Sequence, residues 1–378
     1  MPRGRLTRAA RLVLASTAAL VLAGCGASAT FPSHPAWLTS QEPVVAGGPP
    51  AFFIANEAWT PLPGYSSSRF IVRSAVTGAT VPQGGHGLNN RVTAVAAVGS
   101  GTAFLAAEED PQTCDSQLYW FRLDAGGRIG PLTPVGPPQA GEVNWLAASA
   151  DGQTIAYTVS GCLRHAGGFL KVIDLRTGKI RRWRSVDLTD DGSLAVASNL
   201  ALSASGRQLA FVGWSPDRDR ATVRLLDTAG QTGGLGKRSR IVRTLSSPGK
   251  AQPRDAVALT PDGSGVYVCT VSSRRNQQVT SVAEYAASSG ALERQVLSLP
   301  AADPAGGHQL PGCALAGSRD GEHALVPFAV RYLPGTGTAS VSAAVISLAS
   351  GQRSTISFVV RQDANLVGHG NAAVSISW

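Results

Sequence analysis

Two interleaved ladders of glycine turns run the length of the chain, and they limit what it can fold into more than any other feature. In the first, a tight turn separates two short apolar runs at Gly101, Asp151-Gly152, Ser205-Gly206, Asp262-Gly263 and Asp320-Gly321, so that the glycines step by 51, 54, 57 and 58 residues. In the second, a turn follows an apolar run at Gly78, Gly127, Gly178, Gly230, Gly290 and Gly351. The runs between the turns are rich in β-branched and aromatic residues and show no helical periodicity. A strand-built unit repeating at this length cannot bury its apolar faces alone. It needs like neighbours stacked on both sides.

The repeat has a constant grammar of four strands. Residues 146–184 show it: an apolar run ending at Ser149, the Asp151-Gly152 turn, a second run from Thr154, a loop, a third run from Phe169, the Thr177-Gly178 turn, and a fourth run from Ile180. This grammar predicts an all-β β-propeller of six four-stranded antiparallel blades, with the strands called a to d from the axis outward, spanning residues 44–378. The end of the chain, residues 372–378, reads as an innermost strand without a following turn. It is therefore expected to supply strand a of blade 1 and close the ring, which hides the sheet edges that would otherwise be sticky. Hydrophobic residues at 43% and charged residues at 15% suit a globular domain, and 43 Gly with 23 Pro suit one made of many turns.

Residues 1–24 have the anatomy of an export signal: Arg3, Arg5, Arg8 and Arg11, then the apolar segment Leu12 to Ala23, too short to span a bilayer comfortably. The segment ends in Leu22-Ala23-Gly24-Cys25, which resembles the lipobox of bacterial lipoproteins. That resemblance implies cleavage before Cys25 and acylation of that residue, with residues 25–43 as a flexible tether and the domain held outside the cytoplasmic membrane, on its outer side. Two or more acyl chains anchor stably where one does not. Loss of the signal removes four Arg and no acid, so the formal charge falls from +9 to +5. The remainder is mildly cationic, which suits an anionic surface and falls short of a nucleic-acid footprint.

Cysteine usage agrees with export. After Cys25 there remain Cys114, Cys162, Cys269 and Cys313, an even number that allows three pairings and contains no C-x-x-C spacing. The repeat register favours Cys114 with Cys162 and Cys269 with Cys313, each bridge joining adjacent blades. A monomer is expected.

The phrase Asp151-Gly152-x-x-Ile155-Ala156, followed by Asp174-Leu175-Arg176-Thr177-Gly178, resembles the WD40-like and TolB-like propeller repeats of bacterial exported proteins. The resemblance covers nearly the whole chain after the tether, without the Trp-Asp dipeptides of true WD40 repeats. It implies a fold and says little about function.

In such a ring the a–b and c–d turns share one face, and the b–c and d–a connections share the other. Connections on the second face read as long and varied, and binding usually resides on such loops. Trp59, Arg274 and Arg275 fall in b–c connections, and Asn89 and Asn371 in d–a connections; together they suit a protein or cell-envelope ligand. Three histidines, His86, His308 and His369, fall in d–a connectors of blades 1, 5 and 6. Three imidazoles can ligate a divalent ion, and Gly-His is equally ordinary turn chemistry. Two functions follow: a non-enzymatic binding module held at the membrane by its lipid, with no cofactor, or a metal-dependent hydrolase or lyase at the channel mouth. No G-x-S-x-G, H-E-x-x-H or P-loop occurs; the run from Gly233 to Lys237 lacks the P-loop spacing.

Overall fold

The structure is a computed structural model that describes residues 49–62, 65–83, 91–98, 101–160, 168–184, 195–215, 220–245, 256–274, 277–301, 309–310, 315–317, 322–333, 336, 338–361 and 376–378. The described strands form six sheets, numbered here in chain order. Sheet 2 holds Arg91–Val98, Ala103–Glu109, Ser116–Arg122 and Thr133–Pro134; sheet 3 holds Glu142–Ala148, Thr154–Ser160, Phe169–Asp174 and Lys179–Arg184. Sheet 4 holds Ala195–Leu202, Gln208–Ser215, Arg220–Asp227 and Ser239–Leu245; sheet 5 holds Ala256–Leu259, Gly265–Arg274, Gln277–Ala286 and Leu292–Ala301. Sheet 6 pairs His323–Leu333, Thr338–Ser347 and Arg353–Arg361, with the short segments Gln309–Leu310 and Ala316–Gly317 both on the inner side of His323–Leu333. Sheet 1 joins Phe52–Leu62 and Tyr65–Ser74 to Ile376–Ser377.

Periodicity explains the strands. In Arg91–Val98 every second residue is buried, the signature of an inner strand with one face on the core. Ala103–Glu109 is buried at nearly every position because its sheet is covered on both faces by its neighbours. Each pair of successive sheets shares one apolar core. Phe70, Phe104 and Phe121 stack between sheets 1 and 2, with ring centroids 5.4 and 5.5 Å apart along the stack. Leu105 and Trp120 meet Ile155 between sheets 2 and 3, and Leu170 and Trp183 meet Phe211 between sheets 3 and 4. Val212 and Val223 meet Val268 between sheets 4 and 5, and Tyr267 and Val282 meet Val326 between sheets 5 and 6. The circle closes where Val341 and Phe358 of sheet 6 pack on Phe53 and Trp378 of sheet 1. The result is a β-propeller.

Arginines staple neighbouring sheets on the outer wall. Arg181 donates to the Gly230 carbonyl at 2.8 Å, Arg240 to that of Ser288 at 3.1 Å, and Arg294 to that of Ala349 at 3.3 Å. Each outer strand thus caps the c–d turn of the next sheet, one rung further along the second glycine ladder.

Sheet 1 departs from the expected four strands. Ile376–Ser377 pairs antiparallel with Phe52–Leu62 through Ile54↔Ser377 and Ala55↔Ile376, so the terminal strand does take the inner place. Among the described residues the outer strand, by contrast, amounts to a bridge between Arg73 and Thr80 and a bond from the Val81 amide to the Val72 carbonyl at 2.9 Å, and Pro82, which cannot donate to a ladder, comes next. Among the described residues, sheets 2 to 6 therefore reach four strands or more, and sheet 1 has three.

Candidate functional site

The two faces of the ring differ in how their backbone is satisfied. On the face of the a–b turns, those of sheets 3, 4 and 5 lean on one another: the Ala150 amide donates to the Ala204 carbonyl at 3.1 Å, and the Ala204 amide to the Pro261 carbonyl at 3.0 Å. Side chains brace the same turns. The Ser149 hydroxyl donates to Asp151 Oδ1 at 2.6 Å and the Thr260 hydroxyl to Asp262 Oδ1 at 2.7 Å. The hydrogen bond from Thr260, with those from Ser264, holds the Asp262 carboxyl below its ordinary value. Groups already paired this way offer little to a ligand.

The opposite face is built differently, and it corrects the expected b–c loops. In sheets 5, 6 and 1 the second and third strands continue as hairpins: Gly265–Arg274 with Gln277–Ala286, His323–Leu333 with Thr338–Ser347, and Phe52–Leu62 with Tyr65–Ser74. These strands run to 10 or 11 residues, whereas those of sheets 2, 3 and 4 have 6 to 8. Trp59 is consequently paired with Ser67 in a ladder, and Arg274 with Gln277; neither lies in a loop. The described pairing runs out to Leu62↔Tyr65 and Arg274↔Gln277, where longer loops are expected. The three extended hairpins are consecutive around the ring and form a raised arc on one side of the face.

On the other side, sheets 2 and 3 meet through a charged clip. Arg91 Nη1 lies 3.0 Å from Glu109 Oε2 and Arg91 Nη2 3.2 Å from Glu142 Oε1. Burial pushes the Glu109 carboxyl up, Arg91 pulls it down, and Glu142 and Asp110 push it up again. Beside it the buried Ser116 hydroxyl donates to the Gly141 carbonyl at 2.9 Å and accepts from the Val143 amide at 3.0 Å. These bonds pin the start of the inner strand of sheet 3 to sheet 2. Sequence patterns give little warning of this clip, because Glu142 is far from Glu109 in the chain and its neighbours carry no motif.

On the axis lies a cavity of about 180 Å³. Every sheet contributes to it, through Ala96, Leu146, Leu200, Val257, Leu315 and Trp378 among others. Small and branched apolar side chains at the inner strands leave room only for a narrow space; Asn144, whose amide donates to the Ser160 hydroxyl at 2.8 Å, and Asn199 are polar groups in its lining.

Of the residues singled out in the sequence, Cys25, Asn89, Asn371, Arg275, His86, His308, His369, Cys162 and Cys313 lie outside the described residues, and so does any metal site they would make. Among the described residues no group of three or more His, Cys, Asp or Glu could hold a metal ion.

No protein-family model matches the sequence, and no curated protein matches it. Solved structures do match in shape. TolB from Acinetobacter baumannii superposes with a TM-score of 0.50 over 88% of this chain and 67% of its own, at 12% identity. The fold is that of a TolB-like β-propeller. Two further solved structures match at lower scores: a putative TolB from Agrobacterium tumefaciens (TM-score 0.42, 14% identity, 80% of this chain and 88% of the other) and a periplasmic gluconolactonase from Pseudomonas aeruginosa (TM-score 0.42, 14% identity, 83% and 97%). The TolB-like ring supplies the scaffold; the chain's own hairpins and strand ends supply what is particular to it.

Proposed function

We propose that this TolB-like propeller is the binding module of an extracytoplasmic lipoprotein, anchored to the outer side of the bacterial cytoplasmic membrane through Cys25, and that it engages a protein or cell-envelope ligand without catalysing a reaction. The raised arc of hairpins from sheets 5, 6 and 1 carries this reading. It is a large, contiguous, strand-built surface on a closed scaffold, of the kind that holds a partner at little ordering cost. Sheet 1 counts as a sixth blade in this account, because it shares a core with each neighbour.

Export is supported by the even number of cysteines after Cys25, a usage that suits an oxidising compartment. The pairing expected from the repeat, Cys114 with Cys162 and Cys269 with Cys313, rests on place in the chain. Cys114 stands in a left-handed turn, φ 60°, between the second and third strands of sheet 2, and Cys162 follows the second strand of sheet 3 at the equivalent place. Cys269 lies in the core shared by sheets 5 and 6, and Cys313 falls between the two inner segments of sheet 6. Each bridge would tie adjacent sheets and stabilise the ring by about 2–4 kcal/mol.

The test is chemical cross-linking in intact cells with the parent chain and the variant Trp59→Ala, Arg274→Ala, Arg275→Ala. The variant is expected to remain membrane-bound and to lose the cross-linked species of the parent. An unchanged cross-linking pattern would count against the arc as the binding surface.

A further inference from the structure

One stretch of the outer wall belongs neither to the hairpin arc nor to the axial cavity. Gly233 and Gly234 pair in parallel with Trp183 and Arg184 of sheet 3, an addition to that sheet from the chain of sheet 4. The chain then runs through a single helical turn, α1 (Leu235–Arg238), into the outer strand of sheet 4. Residues 179–184 and 233–245 are thereby stitched into one surface, and they hold eight Lys and Arg side chains and no carboxylate. Lys179, Arg182 and Arg184 are exposed on sheet 3, Lys237 and Arg238 on α1, and Arg243 on sheet 4.

The described carboxylates closest in sequence are turned away into their own backbone. Asp174 accepts from the amides of Arg176 and Thr177 at 3.0 and 3.1 Å, and Asp227 from the Ala229 amide at 2.9 Å. Asp187, Asp190 and Asp191 follow the sheet 3 strand in sequence and lie outside the described residues. Two large apolar side chains stand among the cations, Ile180 at 48% exposure and Ile241 at 49%. A soluble polyanion would satisfy the guanidinium groups and leave both isoleucines in water. A bilayer surface takes both, because phosphate headgroups attract the cations and the interface accepts apolar side chains.

We propose that the outer wall of sheets 3 and 4 docks on anionic lipid, holding the ring against the membrane independently of any lipid on Cys25. All described strands and cores lie within residues 49–378, so a chain beginning at residue 26 keeps the whole ring and loses both the apolar segment and Cys25. That chain is mixed with vesicles of phosphatidylcholine with phosphatidylglycerol, and with vesicles of phosphatidylcholine alone, and sedimented.

Binding is expected on the anionic vesicles only, falling steeply as salt is raised. A cation near such a surface contributes about 1 kcal/mol, so each charge removed should weaken binding about fivefold; Lys179→Gln, Arg184→Gln, Arg238→Gln together should lose on the order of a hundredfold. Ile180→Ser with Ile241→Ser should weaken it as well. Equal binding to both vesicles, or binding unchanged in the triple variant, overturns the proposal. Vesicle binding untouched by the isoleucine pair would assign the wall to soluble anionic polymers and overturn it too. Should a variant fail to fold, the salt dependence of the parent chain decides.

Discussion

The indole Nε1 of Trp378, the last residue, donates to the carbonyl of Pro50 at 3.2 Å, and thereby ties the end of the chain to the start of the ring. The indole is 1% exposed and packs with Phe53 of sheet 1 and Phe358 of sheet 6. Two short rungs, Ile54↔Ser377 and Ala55↔Ile376, are all the described backbone pairing that the terminal strand makes. The large side chain therefore carries much of the closure. Replacing Trp378 by Ala should cost about 3–5 kcal/mol, through lost burial and the cavity left behind. Chemical denaturation would read this as a lowered midpoint, and a loss below about 1 kcal/mol would mean that the ring is held elsewhere.

The second glycine ladder makes a paired prediction. Gly290 and Gly351 occupy equivalent c–d turns with φ of 72° and 70°, so an alanine at either meets the left-handed penalty of about 1–2 kcal/mol. At Gly290 an added Cβ would lie 2.1 Å from the Val242 carbonyl oxygen, whereas at Gly351 its nearest neighbour is 3.9 Å away. Gly290→Ala should accordingly be clearly more damaging than Gly351→Ala. Equal losses in thermal melts would show that the c–d turns do not pack on the preceding sheet as described.

Much of this was legible in the sequence, for a physical reason. A tight turn needs a left-handed residue, and Gly78, Gly101, Gly127, Gly152, Gly178, Gly206, Gly263, Gly290 and Gly351 all adopt positive φ at their ladder positions. The inner place of the terminal strand was legible too, because its apolar run ends where a turn should follow. The hairpin arc was not: Trp59 and Arg274 sit among polar, loop-like residues, and only pairing with Ser67 and Gln277 makes them strand. The reduced edge of sheet 1 and the parallel graft of Gly233 and Gly234 onto sheet 3 likewise depend on partners distant in the chain.

Glu109 gives the fold a pH signature. Burial raises its carboxyl above the ordinary 4.5, so the folded chain holds this proton at pH values where the unfolded chain has released it. Stability from this group is therefore present at low pH and declines as pH rises from 4.5 through the raised folded value. Glu109→Gln should flatten that part of the stability curve, and denaturant midpoints across the window would show it. A variant curve parallel to the parent's would mean that Glu109 does not titrate differently on folding.

The disulfide assignment is open to direct chemistry. In a non-reduced, alkylated digest, peptides bearing Cys114 and Cys162 should be found joined, and likewise those bearing Cys269 and Cys313. Cys162→Ser should leave a single new alkylatable thiol at Cys114. Joined peptides of any other combination would overturn the pairing.

Hydrogen exchange at the seam tests the closed ring, on which the binding account rests. Closure predicts that the amides of Ile54 and Ala55, paired with the terminal strand, exchange as slowly as those of Val223 and Leu225 in the interior of sheet 4. Fast exchange over residues 52–55 and 376–378, with sheet 4 still protected, would show an open ring and contradict the account.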